Sequence, residues 1–132
     1  MLFADWLRVK KNKLRRAGTH VLRAMKRRHP QIIVSMTSYP ARINTVHLAI
    51  RSLLAQKVLP DKIVLWLCKS DFPNRETDLP QTLRDVLWHD VEIRWVDEDL
   101  KPHKKYFWAL QEFPDDYVIT TDDDLLYRNT MI

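Results

Sequence analysis

The sequence predicts an α/β fold: a parallel sheet of about four strands with helices on both faces, behind a basic helical arm. Three observations predict it. From residue 31 onward, four strand-like segments alternate with three helix-like ones, the order that builds parallel sheets through helical crossovers. The second strand-like run, Lys62 to Cys68 (KIVLWLC), is apolar throughout after its lysine, as a strand covered on both faces must be. Charge also divides the chain. Residues 1–30 hold ten Lys or Arg against one acid, Asp5, for +9, whereas residues 31–132 hold twelve bases and sixteen acids, for −4.

The elements follow in order. In the arm, residues 1–30, Phe3, Trp6, Leu7, Leu14 and Ala17 fall on one helical face with Lys and Arg over the rest; Gly18 interrupts, then Val21, Leu22 and Met25 resume. A basic amphipathic helix suits an anionic membrane surface, where each base contributes ~1 kcal/mol. The alternative is a solvated helix that packs its apolar stripe on the domain. Nucleic acid is the weakest partner, because the domain that follows is acidic and offers no reader module. His29-Pro30 closes the arm, since the residue before proline is pushed out of the helical region. Ile32 to Thr37 is a short apolar run fit for a buried strand. Asn44 or Thr45 can cap a helix with Val46, Ala49, Ile50, Leu53 and Leu54 at apolar spacing, ended by Pro60-Asp61. After strand 62–68 comes a polar loop, 69–80, with two prolines. Pro80 suits the first turn of a helix carried on by Leu83, Val86 and Leu87. Val91, Ile93 and Trp95 alternate with Glu92 and Arg94, which predicts a half-exposed edge strand. Residues 97–103 are an acidic loop. Lys104 to Phe113 reads as a helix with Phe107, Leu110 and Phe113 inward. Tyr117 to Thr121 is the last strand, and Asp122-Asp123-Asp124 stands at its carboxyl end. The crossovers are expected to be right-handed. The whole is a Rossmann-like arrangement.

Composition removes several function classes. The chain of 132 residues is 45% hydrophobic and 30% charged, which describes one globular domain. It has one glycine, Gly18, so no Gly-rich phosphate cradle of the P-loop or dinucleotide kind is present. One cysteine, Cys68, excludes a disulfide framework and a cysteine zinc site, and suits a reducing compartment. No apolar stretch has the length of a secretory core or of a membrane span. The expectation is a cytoplasmic protein, soluble or peripheral at the inner face of the membrane. Cys68, Trp66, Trp88, Trp95 and Trp108 read as core residues, and the histidines are scattered without a pair at metal-ligand spacing. Ser35 and Ser38 lack a nucleophile-elbow context.

In open α/β sheets, ligands bind outside the carboxyl ends of the strands. Four segments must meet there: Thr37 to Arg42, Lys69 to Asp71, Asp97 to Asp99, and Asp122 to Asp124. Three adjacent carboxylates repel one another unless a cation or solvent relieves them, and hard oxygen ligands select Mg²⁺ or Mn²⁺. In an extended stretch Asp122 and Asp124 point one way and Asp123 the other, so one face can hold a metal. The plainer reading is a solvated acidic turn. Tyr39 can stack on a base or simply pack in a turn. Arg42 can fork onto phosphate oxygens or stand as a surface charge. Lys104 and Lys105 open a helix whose N-terminus is already positive, which makes more sense with an anion nearby; the alternative is a pair answering Asp97, Glu98 and Asp99.

Val34-Ser35-Met36-Thr37-Ser38-Tyr39-Pro40-Ala41-Arg42-Ile43, then Ser52-Leu53-Leu54-Ala55-Gln56, then Pro60 to Leu67 (PDKIVLWL), then Ile119-Thr120-Thr121-Asp122-Asp123-Asp124 together resemble the bacterial glycosyltransferases of the GT-A fold. More narrowly, the set is similar to those found among surface-polysaccharide genes. The likeness covers residues 31–132 and implies the nucleotide-binding half of that fold, a nucleotide-diphosphate sugar as donor, and Mn²⁺ or Mg²⁺ as cofactor. The aspartates would be the DxD motif, with Asp124 ligating the metal and Asp122 or Asp123 sharing it or contacting the ribose. Thr37 and Tyr39 match positions that hold the nucleoside. Arg42 would join the diphosphate site, Asp71 or Asp97 would contact the base, and Lys104 or Lys105 matches the basic position before the DxD strand. The metal and the bases would offset charge growing on the departing diphosphate.

GT-A enzymes continue well past this motif, into a part that supplies the acceptor site and usually the catalytic base, whereas this chain ends eight residues after Asp124. The resemblance therefore implies weak or no transferase activity for these 132 residues alone. Two rivals stand beside it. One is a haloacid-dehalogenase-like phosphatase, whose motif also follows a strand but wants Thr or Val where Leu126 stands and places its aspartates on the first strand. The other is a non-enzymatic module that binds anionic membrane or nucleic acid through the arm.

Overall fold

The computed structural model describes residues 30–132 except His89. The basic arm expected from the sequence lies, but for Pro30, outside the described residues. Four strands form one all-parallel sheet: β1 (Ile32–Thr37), β2 (Lys62–Cys68), β3 (Val91–Val96) and β4 (Tyr117–Thr120), in spatial order β3-β2-β1-β4. Three α-helices connect them: α1 (Val46–Leu54), α2 (Gln81–Arg84) and α3 (Lys104–Glu112). Short 3₁₀ turns occupy Arg75–Asp78 and Lys101–His103. This is the α/β, Rossmann-like arrangement that the alternation predicts.

Alternating side chains send the two faces of the sheet into separate cores. On one face Val34, Met36, Ile63, Leu65 and Leu67 pack with Val46, Ile50 and Leu53 of α1 and Leu83 of α2. On the other, Ile33, Val64 and Trp66 meet Ala109 and Trp108 of α3. The buried side chains of β2 divide between both, which is why its sequence runs apolar without alternation. The strand β3 is an edge, as its alternation predicts, and β4 is the other edge.

The path of the chain decides where a ligand can enter. From β1 it steps outward through β2 to β3, then returns over α3 to pair β4 with the other side of β1. The direction of travel reverses between β1 and β4. At such a switch point the connections leave to opposite sides and open a crevice at the carboxyl ends.

Several local expectations change. The stripe of α3 that faces the sheet is Lys104, Lys105, Trp108 and Ala109, while Phe107 and Leu110 are exposed. Only Phe113 of the expected inward trio meets the core, from just past the helix. Lys104 takes a buried position on that stripe, with its ammonium paired to Asp99. The helix after Pro80 is a single turn, and Val86 is buried beyond its end. The polar loop 69–80 anchors itself by burying Phe72 and Leu79. Thr45 occupies the cap position of α1, yet its hydroxyl donates back to the Arg42 carbonyl at 3.1 Å and caps nothing. The fourth strand is half-exposed, with Tyr117 facing solvent. Among the described residues, no helix is long and apolar enough to cross a membrane.

Candidate functional site

A cleft of about 400 Å³ opens at the carboxyl ends of β1 and β4. That volume falls in the range of small-molecule sites. Its wall after β1 is Thr37 to Pro40 with Arg42; after β4 it is Thr121 to Asp123; the remainder comes from Asp71, Asp99, Lys101, Pro102, Lys104 and Lys105.

The wall after β1 is shaped by a turn. The Arg42 N–H donates to the Tyr39 carbonyl at 3.0 Å, and the Arg42 carbonyl accepts from Val46 as α1 begins. Tyr39 is thereby left exposed, with the Arg42 guanidinium 5.5 Å from its ring centroid. Arg42 then reaches across the cleft to β4's end, meeting Asp123 at 2.9 Å and Asp124 at 3.0 Å. Asp123 is 6% exposed and also accepts from the Ser38 hydroxyl at 2.7 Å. Both its oxygens are satisfied, so this buried carboxylate is compensated as burial requires. The hydrogen bond and charge of Asp123, with Asp124 adding, hold the Arg42 pKa above its ordinary value.

The opposite wall is set by the start of α3. Trp66 donates its indole N–H to the Ser35 hydroxyl at 2.8 Å, and Ser35 donates onward to the Lys105 carbonyl. This relay ties the first turn of the helix to the middle of the sheet and aims its two lysines. Lys104 is 2% exposed and meets Asp99 at 2.7 Å. The Lys104 hydrogen bond, with the Lys101 backbone N–H, keeps Asp99 below the usual carboxylate range. Lys101 has φ 51°, a left-handed backbone that costs ~1–2 kcal/mol. The bond from its N–H to Asp99 at 3.0 Å offsets part of that. Lys105 meets Asp122 at 2.6 Å.

Of the residues the sequence singles out, Thr37, Tyr39, Arg42, Asp71, Lys104, Lys105, Asp122 and Asp123 come together around the cleft. Asp97 and Asp124 are not among the lining residues. Asp97 pairs with Lys69 at 2.8 Å in solvent, and Asp124 lies half-exposed beyond Arg42. The Thr37 hydroxyl is committed to the Trp66 carbonyl at 3.0 Å. The alternation expected for the aspartates does not hold. The strand ends at Thr120 and the chain turns at Asp123-Asp124, so these two share Arg42 while Asp122 goes to Lys105. Ser38 and Asp99 fall within segments that the sequence brings to the site but to which it gave no individual ligand role, and Thr121 lies outside those segments. The sequence offered Asp99 as one of three acids that the two lysines could answer; the structure gives it to Lys104, and Lys105 turns to Asp122 instead.

For a divalent metal, the donors are of the right kind but few. Among the described residues, no three His, Cys, Asp or Glu side chains gather as a metal cluster. Asp122 and Asp124 are each about half-exposed, and each is engaged by a single basic side chain. A hard cation held by either carboxylate would have to draw most of its oxygens from a bound phosphate and from water. No family model, curated protein or solved structure significantly matches the chain.

Proposed function

We propose that the cleft binds a nucleotide-diphosphate sugar together with Mn²⁺ or Mg²⁺, and that the protein serves glycosyl transfer in bacterial surface-polysaccharide synthesis. The observation that carries the reading is the pairing of charges at the switch point. Lys105 with Asp122, and Arg42 with Asp123 and Asp124, are ion pairs whose halves match the two halves of a metal diphosphate. Lys105 and Arg42 would hold the diphosphate oxygens, and the carboxylates of Asp122 and Asp124 would be left to hold the metal. Bound there, the cation would neutralise charge on the departing diphosphate. Asp123 stays with Ser38 and keeps the turn in place. Lys104, buried against Asp99, forms a charge-compensated part of the wall. The exposed ring of Tyr39 offers a stacking surface for the base, and Asp71 an acceptor for its N–H groups. The arm supplies a second contact, with anionic lipid at the cytoplasmic face of the membrane.

Calorimetry of the full chain with UDP and with GDP, with and without Mn²⁺, tests this. Binding is expected to need the metal and to weaken at least about tenfold, or ~1.4 kcal/mol, in Asp122→Ala and in Asp124→Ala. Metal-independent affinity that both variants retain would remove the assignment.

A further inference from the structure

Gln56 is 4% exposed, just past the end of α1. Its amide spends its full capacity. The nitrogen donates to the carbonyls of Ser52 at 3.2 Å and Arg128 at 2.6 Å. The oxygen accepts from the N–H groups of Met131 at 2.9 Å and Ile132 at 3.1 Å. Two donors and two lone pairs are all that a carboxamide has.

The segment it grips, residues 125–132, contains no helix or strand, and Leu125 and Leu126 at its start are exposed. Its polar backbone is held mainly by the end of α1. Besides Gln56, the Lys57 N–H donates to Asn129 at 2.7 Å and the Tyr127 N–H to the Ser52 hydroxyl at 3.0 Å. Tyr127 carries the connection to the cleft, because its phenol oxygen accepts from the Asp122 N–H at 2.7 Å. The aspartate turn is thus held from two sides. Before it, Thr121 donates to the Ser35 carbonyl of β1 at 3.0 Å; behind it stands the segment that Gln56 clamps.

We infer that Gln56 is a positioning residue for the cleft: its amide fixes segment 125–132 and, through Tyr127, the place of Asp122. The effect on ligand affinity rests on the nucleotide-sugar reading, whereas the effect on the turn does not.

The test is amide hydrogen exchange on the full-length chain, with affinity for UDP and Mn²⁺ as a second readout. In Gln56→Ala, the Asp122 and Tyr127 amides are expected to exchange at least about tenfold faster, with Met36 and Leu65 in the sheet unchanged. UDP–Mn²⁺ affinity is expected to fall about tenfold. Gln56→Glu supplies the pH signature. As a carboxylate it keeps the acceptors but faces the Arg128 carbonyl without a proton, so protection is lost at neutral pH. As the pH is lowered until the acid is protonated, it donates to that carbonyl again, and protection returns in part relative to the parent chain at the same pH. Gln56→Ala does not recover. Unchanged Asp122 protection in Gln56→Ala overturns the inference, as does equal loss across β1 and β2, or a Glu variant without the pH response. A parent chain that fails to bind UDP with Mn²⁺ overturns the proposed function instead, and the exchange data still decide Gln56.

Discussion

Asp123 and Thr121 are neighbours of Asp122 with opposite accounts. Asp123 is buried with both oxygens satisfied, by Ser38 and Arg42. Thr121 is 4% exposed, lines the cleft, and its hydroxyl has no hydrogen-bond partner among the described residues. A buried unpaired hydroxyl costs ~1–3 kcal/mol. Thr121→Val keeps the shape and removes that polar atom, so it is expected to stabilise the protein by about 1 kcal/mol, read as a higher denaturant midpoint with unchanged m-value. A lower midpoint would show that the hydroxyl is satisfied in solution. The acid triplet and its place after a strand were legible in the sequence. That its middle member would be a buried structural carboxylate sharing Arg42 with Asp124 was not foreseen. The partners, Ser38 and Arg42, lie 85 and 81 positions off in sequence.

At the scale of elements, strands and α1 were legible and α3 was legible in extent but not in orientation. The apolar runs 32–37 and 62–68 leave little choice, because each strand must be covered on both faces. In α3 the amphipathic signal was split. Phe107 and Leu110 compete with Trp108 and Ala109, and the structure turns the latter pair to the sheet, with Lys104 buried beside them. A pairwise substitution separates the two faces. Ala109 is fully buried, so Ala109→Leu overpacks the sheet–helix contact and is expected to cost about 1–3 kcal/mol. Leu110, 57% exposed, is expected to tolerate Gln within about 0.5 kcal/mol. Urea unfolding of both variants checks this, and the reverse ranking would restore the inward Leu110.

At the scale of the molecule, the net +5 separates into an arm of +9 and a domain of −4. Replacing Lys10, Lys11, Lys13, Arg15 and Arg16 with Gln brings the net charge from +5 to 0. At ~1 kcal/mol per base near an anionic surface, sedimentation with phosphatidylserine vesicles is expected to weaken at least tenfold at moderate salt. UDP–Mn²⁺ affinity should stay within about twofold of the parent, because the cleft's lining among the described residues comes from 37–123. Vesicle binding that survives the substitutions would dissociate the arm from membranes. The sequence by itself determined the alternation of elements, the buried centre of the sheet and the chemical kinds of side chain at the strand ends. Those properties are local, set by periodicity and residue type. Only the tertiary structure decided that the sheet runs β3-β2-β1-β4, and hence that the ends of β1 and β4 border one cleft. It also decided that Arg42, Ser38, Lys105 and Gln56 hold the partners they do. Those choices depend on which distant segments the return of the chain over α3 brings within hydrogen-bond reach, and no local pattern encodes that distance.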